Sequence, residues 1–314
     1  MNAKHPLLVP YLALAAAVLL WGLSFVGTKI ALAGLPPLCI LFLRFALAAA
    51  FFLAWFGRRG LPRLSRADLW AVARIALFMP VAYFILETYG IKFTTASKAS
   101  LLAATIPLVV LLASAWLHRE RPRPRVLAGA ALSLPGVGLL VAGGSGGAGL
   151  LSGPQLGDLY MSGAVLAAAA YMILAGRVGS RVSCVDLTGL QMIAGAVVFA
   201  PFALAQWSSA GDLAGSALGT ALAATLALAL GPTIAGFLSY NYALTVIPAP
   251  RASLGINLVP VVTALGAWAL LGERLAPLQM AGGLLVLAAV ALATAPDRRL
   301  RPSPPVAAPE GARP

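Results

Sequence analysis

Arg44 and Glu87 are the two residues of this chain whose chemistry is least in keeping with their neighbours. Arg44 stands about eight residues into an apolar run (36–56), which is about 12 Å of helix at 1.5 Å per residue. If that run crosses a bilayer, an isolated Arg there costs at least about 2.5–3.5 kcal/mol, so it must face protein or water. It can hold a substrate carboxylate, or it can be structural, bonded to backbone carbonyls or to a helix C-terminus. Glu87 lies a few residues from the end of a second run (69–91). It can pair with Arg44, carry a proton or meet a substrate ammonium group, and an intramembrane carboxylate is a functional candidate by default. Further polar and aromatic residues fall inside apolar runs and are candidates to line a cavity: Trp21, Ser24, Tyr83, Ser100, Thr105, Tyr171, Tyr240, Asn241 and Asn257. A polar atom left unpartnered in hydrocarbon costs several kcal/mol, so such groups need a cavity or a partner. For a single Tyr or Trp the alternative is interface anchoring or packing; for Asn257 it is a helix–helix hydrogen bond. Asp158 opens a run and is expected to be an exposed helix-start residue. Arg74 is expected to snorkel to an interface.

The elements that must position these groups follow from composition. Of 314 residues, 61% are hydrophobic and 10% charged, against about 25% charged in soluble domains. One large soluble core is thereby excluded, and the chain reads as an integral membrane protein. Ten apolar segments run roughly over 10–32, 36–56, 69–91, 96–117, 126–142, 158–178, 187–207, 219–244, 249–270 and 277–295. They are continuous rather than alternating, which excludes an outer-membrane barrel. An all-α membrane protein of ten transmembrane helices is expected. The net charge of +13 looks like a nucleic-acid signature. The basic residues, however, sit in the gaps between runs. With the N-terminus inside, sixteen Lys and Arg fall in inner gaps and four (Lys29, Lys92, Lys98 and Arg274) in outer ones. That asymmetry places both termini in the cytoplasm and leaves no polyanion-binding face. The first run is too long for a signal peptide and is expected to stay as a helix. Cys39 and Cys184 are expected on opposite sides, so no disulfide is expected.

The chain repeats itself. Offset by 153 residues, Tyr89 falls on Tyr242, Lys98-Ala-Ser on Arg251-Ala-Ser, Pro107 on Pro260 and Glu120-Arg121 on Glu273-Arg274. Over 89–142 there are 19 identities in 54 positions without a gap. Each copy would hold five spans, and five is odd, so the second copy enters the membrane the other way up. Inverted repeats are a transporter architecture, because two oppositely oriented copies can exchange conformations around one site. The offset also places Pro80 within one residue of the Gly231-Pro232 pair, while Pro107 and Pro260 coincide. Paired breaks in matching helices point to hinges near a midplane site. The alternative is inherited kink geometry without motion. The expected layout is a cytoplasmic N-terminus (1–9), a first five-helix unit (10–142), an outer linker (143–157) containing Gly143–Gly147, a second unit (158–295) and a disordered cytoplasmic tail (296–314).

Trp21-Gly22-x-Ser24-Phe25, Arg44-Phe45, Tyr89-Gly90-Ile91-Lys92-Phe93-Thr94-Thr95-Ala96 leading into Ala99-Ser100-Leu101, Pro107 and Glu120, with the fourth segment repeated near 250–273, together resemble the EamA family of the drug/metabolite transporter superfamily. The resemblance covers about residues 10–295. In the second copy Tyr171-Met172 stands near the place of Trp21-Gly22. The resemblance implies a ten-helix exporter of small metabolites or drugs in a prokaryotic plasma membrane. It leaves the cargo open: amino acids or related metabolites first, and alternatively organic cations or drugs, which an aromatic site with a carboxylate would suit. A lipid-carrier enzyme would need clustered acids or His at one interface, and the nine acidic residues are scattered; a non-transporting scaffold is the remaining alternative. The two His (His5 and His118) and two distant Cys form no metal spacing, and no phosphate-cradling Gly-Lys-Ser/Thr run is present. No cofactor, metal or nucleic-acid partner is expected; protons are the candidate coupling ion.

Overall fold

The structure is a computed structural model that describes residues 8–117, 119, 121–142, 153–178, 182–208, 216–244, 247 and 257–294. The expected linker glycines (Gly143–Gly147), the C-terminal tail, His5, His118, Glu120 and Arg251 lie outside these residues. Among the described residues every element is helical. They are α1 (Leu8–Ala31), α2 (Pro37–Arg59), α3 (Arg66–Phe93), α4 (Ala96–Leu117), α5 (Pro124–Ala142), α6 (Gly153–Val178), α7 (Cys184–Ser208), α8 (216–244), α9 (Val259–Leu271) and α10 (Pro277–Thr294). Seven of them are long and apolar enough to cross a membrane, while α5, α9 and α10 are shorter apolar helices.

Local chemistry explains the boundaries. Pro37, Pro124 and Pro277 sit in the first turns of α2, α5 and α10, where a missing N–H costs nothing. Ser65 caps α3 by accepting from the Asp68 N–H at 3.1 Å. Gly272 closes α9 in the left-handed region, φ +66°, which favours glycine. Helix α6 begins at Gly153, five residues before the expected start of its run.

Two helices are broken at matching places. A π turn occupies Leu77–Ala82 of α3, with Met79 out of helical geometry and a cis Met79–Pro80 bond. A second π turn occupies Ala229–Gly236 of α8, around Gly231 and Pro232. Pro supplies the cause in each, since its ring clashes with the preceding turn and it lacks an N–H. Helix α4 is also interrupted, by a turn at Ala104–Thr105 just before Pro107. The offset of 153 carries that turn to 257–258, where a turn precedes α9 and the buried Pro260.

Packing is reciprocal between the two halves of the chain. Helix α1 lies against α8 and α9, and α6 lies against α3 and α4. Helices α2 and α7 pack on each other, as do α5 and α10. The α2–α7 pair is antiparallel: Cys39 meets Ala203, and Gly189 approaches Phe52 and Phe56. Small residues bring α5 and α10 into backbone contact. A Cβ on Gly282 would stand 2.6 Å from the Gly136 carbonyl oxygen and 2.8 Å from the Leu140 nitrogen, the close approach typical of packed membrane helices. The large core residues (Phe45, Phe52, Phe199 and Ile91) lie between helices, while Leu134, Leu166, Leu204 and Trp268 point outward, as lipid contact requires.

Gly282→Leu should therefore destabilise the fold by about 1–3 kcal/mol or more, because backbone atoms cannot yield to the new side chain. Gly138→Ala, on the same pair of helices where a Cβ meets nothing within 4 Å, is the control. Thermal unfolding of the purified protein in detergent measures both, and equal midpoints would contradict the packing.

Candidate functional site

The broken turns of α3 and α8 organise the polar centre. Arg44, on α2, is 3% exposed. Its Nε donates to the Thr233 hydroxyl inside the α8 π turn. Its guanidinium lies over the Phe84 ring of α3, 4.6 Å from the centroid, a cation–π contact. Thr233 in turn donates to the Leu228 carbonyl five residues back, at 2.8 Å, filling the gap that the π turn opens. Trp21, on α1, donates from Nε1 to the Pro232 carbonyl at 3.2 Å and packs against Tyr240 and Phe237, with ring centroids 5.0 and 5.4 Å apart. The structural alternative for Arg44 takes a form the sequence did not offer. Its partner is a side-chain hydroxyl at a kink rather than a backbone carbonyl.

One turn past the α3 break, Tyr83 Oη donates to Glu87 Oε1 at 2.9 Å. Glu87 is 5% exposed. Among the described residues no ion pair within 4 Å joins it to Arg44, although each lies in the other's electrostatic field. Nε is the one guanidinium nitrogen that a described residue engages, and Glu87 Oε2 accepts from none. A cationic fork over Phe84 and the Glu87 carboxylate thus both lie at α3 just past its break, each with hydrogen-bonding capacity in hand.

Other expected cavity residues are satisfied locally. Ser24, Ser100 and Thr105 each donate to a carbonyl three residues earlier in their own helix (Trp21, Ser97 and Leu102), at 2.7, 2.8 and 2.7 Å, the usual way a hydroxyl is carried in an apolar helix. Tyr171 packs with Val72, Ile75 and Leu187, away from the Arg44 group. Asn257 is half-buried in the turn before α9, and the Asn241 side chain lies outside the described residues. Pro107 and Gly231 are half-buried, and Pro80, Pro232 and Pro260 are buried. Arg74 is exposed, with Nε near the Trp70 carbonyl, in keeping with snorkelling.

Sequence reasoning missed a second polar cluster, at the end of the molecule where α3 passes into α4. Asp158 is a correction. It is buried, and its Oδ2 accepts from Lys98 Nζ at 2.7 Å. Because α6 starts five residues early, Asp158 is an interior residue of that helix rather than its exposed first one. Lys98, expected in an outer gap, is 2% exposed. Nearby, Glu273 accepts from the Ala96 and Ser97 amides and the Ser97 hydroxyl at 3.0, 3.1 and 2.9 Å, so a carboxylate from the α9–α10 connection caps the positive end of α4. Lys29 Nζ, from α1, caps the negative end of α3 through the Ile91 and Thr94 carbonyls. The missed signal was the pairing of Lys98 with the sole Asp of a neighbouring run, which needs a tertiary contact to be seen. Gln191 was missed too: an amide in α7, it donates from Nε2 to the Met79 carbonyl at 2.6 Å.

The buried Lys98–Asp158 pair makes a double-mutant prediction. Asp158→Leu or Lys98→Met alone strands a buried charge and should cost about 3–5 kcal/mol, whereas the double replacement should recover most of the loss. Detergent melting curves of the three variants decide it, and strictly additive losses would contradict the pairing.

Comparison with known proteins gives the family. The EamA-like transporter family model matches residues 8–142 and again 155–295. An uncharacterized transporter of Archaeoglobus fulgidus is 31% identical, over 94% of this chain and 99% of the relative. A probable terminal-alkyne amino-acid exporter of Streptantibioticus cattleyicolor is 29% identical, over 89% of this chain and 91% of its own length. Among solved structures, one crystal structure shares the fold with a TM-score of 0.63 at 23% identity, covering 91% of this chain and 98% of that one. The twice-matched family model and the full-length relatives establish that the chain is a multi-pass plasma-membrane protein and belongs to the EamA-like transporter family.

Proposed function

We propose that the chain is a secondary transporter that exports small metabolites, amino acids foremost, by alternating access, and that it performs no chemistry on its cargo. In this reading ten spans form two inverted five-helix units with both termini in the cytoplasm. The observation that carries it is the reciprocity of the packing: α1 against α8 and α9 is matched by α6 against α3 and α4, while α2–α7 and α5–α10 each join equivalent helices. Two units of opposite sense can exchange conformations and expose one site to either side. The excess of basic residues in alternate gaps supports the orientation.

Amino acids fit the centre for a chemical reason. A zwitterion offers a carboxylate to the unused nitrogens of Arg44 and an ammonium to Glu87, and Arg is suited to bidentate carboxylate recognition. The name of the Streptantibioticus cattleyicolor relative agrees with that class. Flux of labelled amino acids into proteoliposomes tests the reading. Uptake that saturates and falls at least about tenfold in Arg44→Met is expected; absence of flux for every amino acid and metabolite tried would overturn it. Electrogenic flux of an organic cation instead would identify Glu87, Tyr83 and Trp21 as a cation site.

Protons are the proposed coupling ion, with Glu87 as the carrier. Glu87→Gln should then lose the pH dependence of flux between about pH 5 and 8. Parent-like flux across that range would remove Glu87 from the coupling step.

A further inference from the structure

Arg44 and Gln191 stand equally far from the starts of α2 and α7, the two helices that pack on each other. Each is the eighth residue of its helix, Arg44 of α2 from Pro37 and Gln191 of α7 from Cys184. Each crosses to the broken third helix of the opposite half. Arg44 Nε donates to Thr233 in α8, and Gln191 Nε2 donates to the Met79 carbonyl in α3. The two acceptors are equivalent within one residue, since the offset of 153 carries Met79 to Pro232 and Pro80 to Thr233. Helices α2 and α7 pack antiparallel, so the two donors leave one helix pair in opposite senses.

Energetics give the crossing its meaning. A π turn leaves backbone groups without their i−4 partners, and hydrocarbon offers no water to replace them. Each broken turn is therefore completed by a side chain from the other half. The α8 turn takes Trp21 on its Pro232 carbonyl, with its own Thr233 held by Arg44, and the α3 turn takes Gln191 on its Met79 carbonyl. Gly195 adds a steric reason for the reach of α7, because its Cβ position falls 2.9 Å from the Pro80 ring and 3.0 Å from Phe45. The bend of one half thus cannot change without loosening a contact rooted in the other.

We infer that Arg44 and Gln191 form a reciprocal pair of positioning residues, each setting the bend of the opposite half's third helix and together linking the two bends. This rests on the alternating-access reading and adds a sign to it. In one conformer of an inverted pair the two bends differ, and in the other they are exchanged. Loosening the α8 bend then favours one access state, and loosening the α3 bend favours the other.

The test reads conformation rather than flux. Ala104, half-buried at the break in α4, is replaced by Cys in a protein whose Cys39 and Cys184 are Ser. A membrane-impermeant maleimide is applied to vesicles of each orientation, and the ratio of labelling rates from the two faces is measured. The parent should label from both faces. Arg44→Met and Gln191→Leu should move the ratio by at least about threefold in opposite directions, and Arg44→Lys, which keeps a donor, should remain near the parent. Thr233→Val removes the same contact from the acceptor side and should shift the ratio in the direction opposite to Gln191→Leu, which keeps the test decisive if Arg44→Met does not fold. Two-sided labelling with shifts of the same sign, or with none, overturns the pair while leaving alternating access intact. One-sided labelling of the parent and every variant overturns the alternating-access reading and the pair with it.

Discussion

The constraint on which the rest of this structure depends is that a helix broken inside hydrocarbon must have its exposed backbone groups met by protein. Pro80 and Pro232 break α3 and α8. Four polar side chains at the centre are there in relation to those breaks. Trp21 serves the Pro232 carbonyl, Thr233 serves Leu228, Arg44 holds Thr233, and Gln191 serves Met79. Arg44, Gln191 and Thr233, all buried, meet at these two turns, apart from the Lys98–Asp158 cluster. Cargo recognition, in the function proposed, uses what those residues leave over: the Nη groups of Arg44 and the second oxygen of Glu87.

Much of the fold was legible because membrane crossing imposes length and composition directly. Nine of the ten apolar runs coincide with helices to within about five residues, while the ninth, expected from 249, gives a helix that starts at Val259; the repeat offset also anticipated paired breaks at Pro80 and Gly231-Pro232 and at Pro107 and Pro260. Helix starts were less legible, as α6 shows. Gly153-Pro154-Gln155 reads as linker by composition, yet it forms the first turn of a helix. That error exchanged an exposed Asp158 for a buried one.

The site was legible in its charged members and not in its contacts. Arg44 and Glu87 stand out because ionisable groups at depth are rare. Gln191 and Thr233 do not, since an amide or hydroxyl in an apolar helix is common and acquires meaning only from what it touches across the fold. Ser24, Ser100 and Thr105 illustrate the converse: polar by type, they are turned onto their own backbone. Spacing in one dimension predicts which helix carries a group. It does not predict whether the group spends its hydrogen bond at home or abroad.

The cluster formed by Lys29, Glu273, Lys98 and Asp158 ties the ends of four helices together through helix termini and ions. A junction of that kind has a particular material property. Parting it uncovers groups that water solvates well, so opening leaves no greasy surface to be hidden again. Lys98 and Asp158 are buried, so salt screens their attraction little while they stay in place. Once water reaches the junction, each of its ions can be hydrated where it stands, and the bends at the centre need not change.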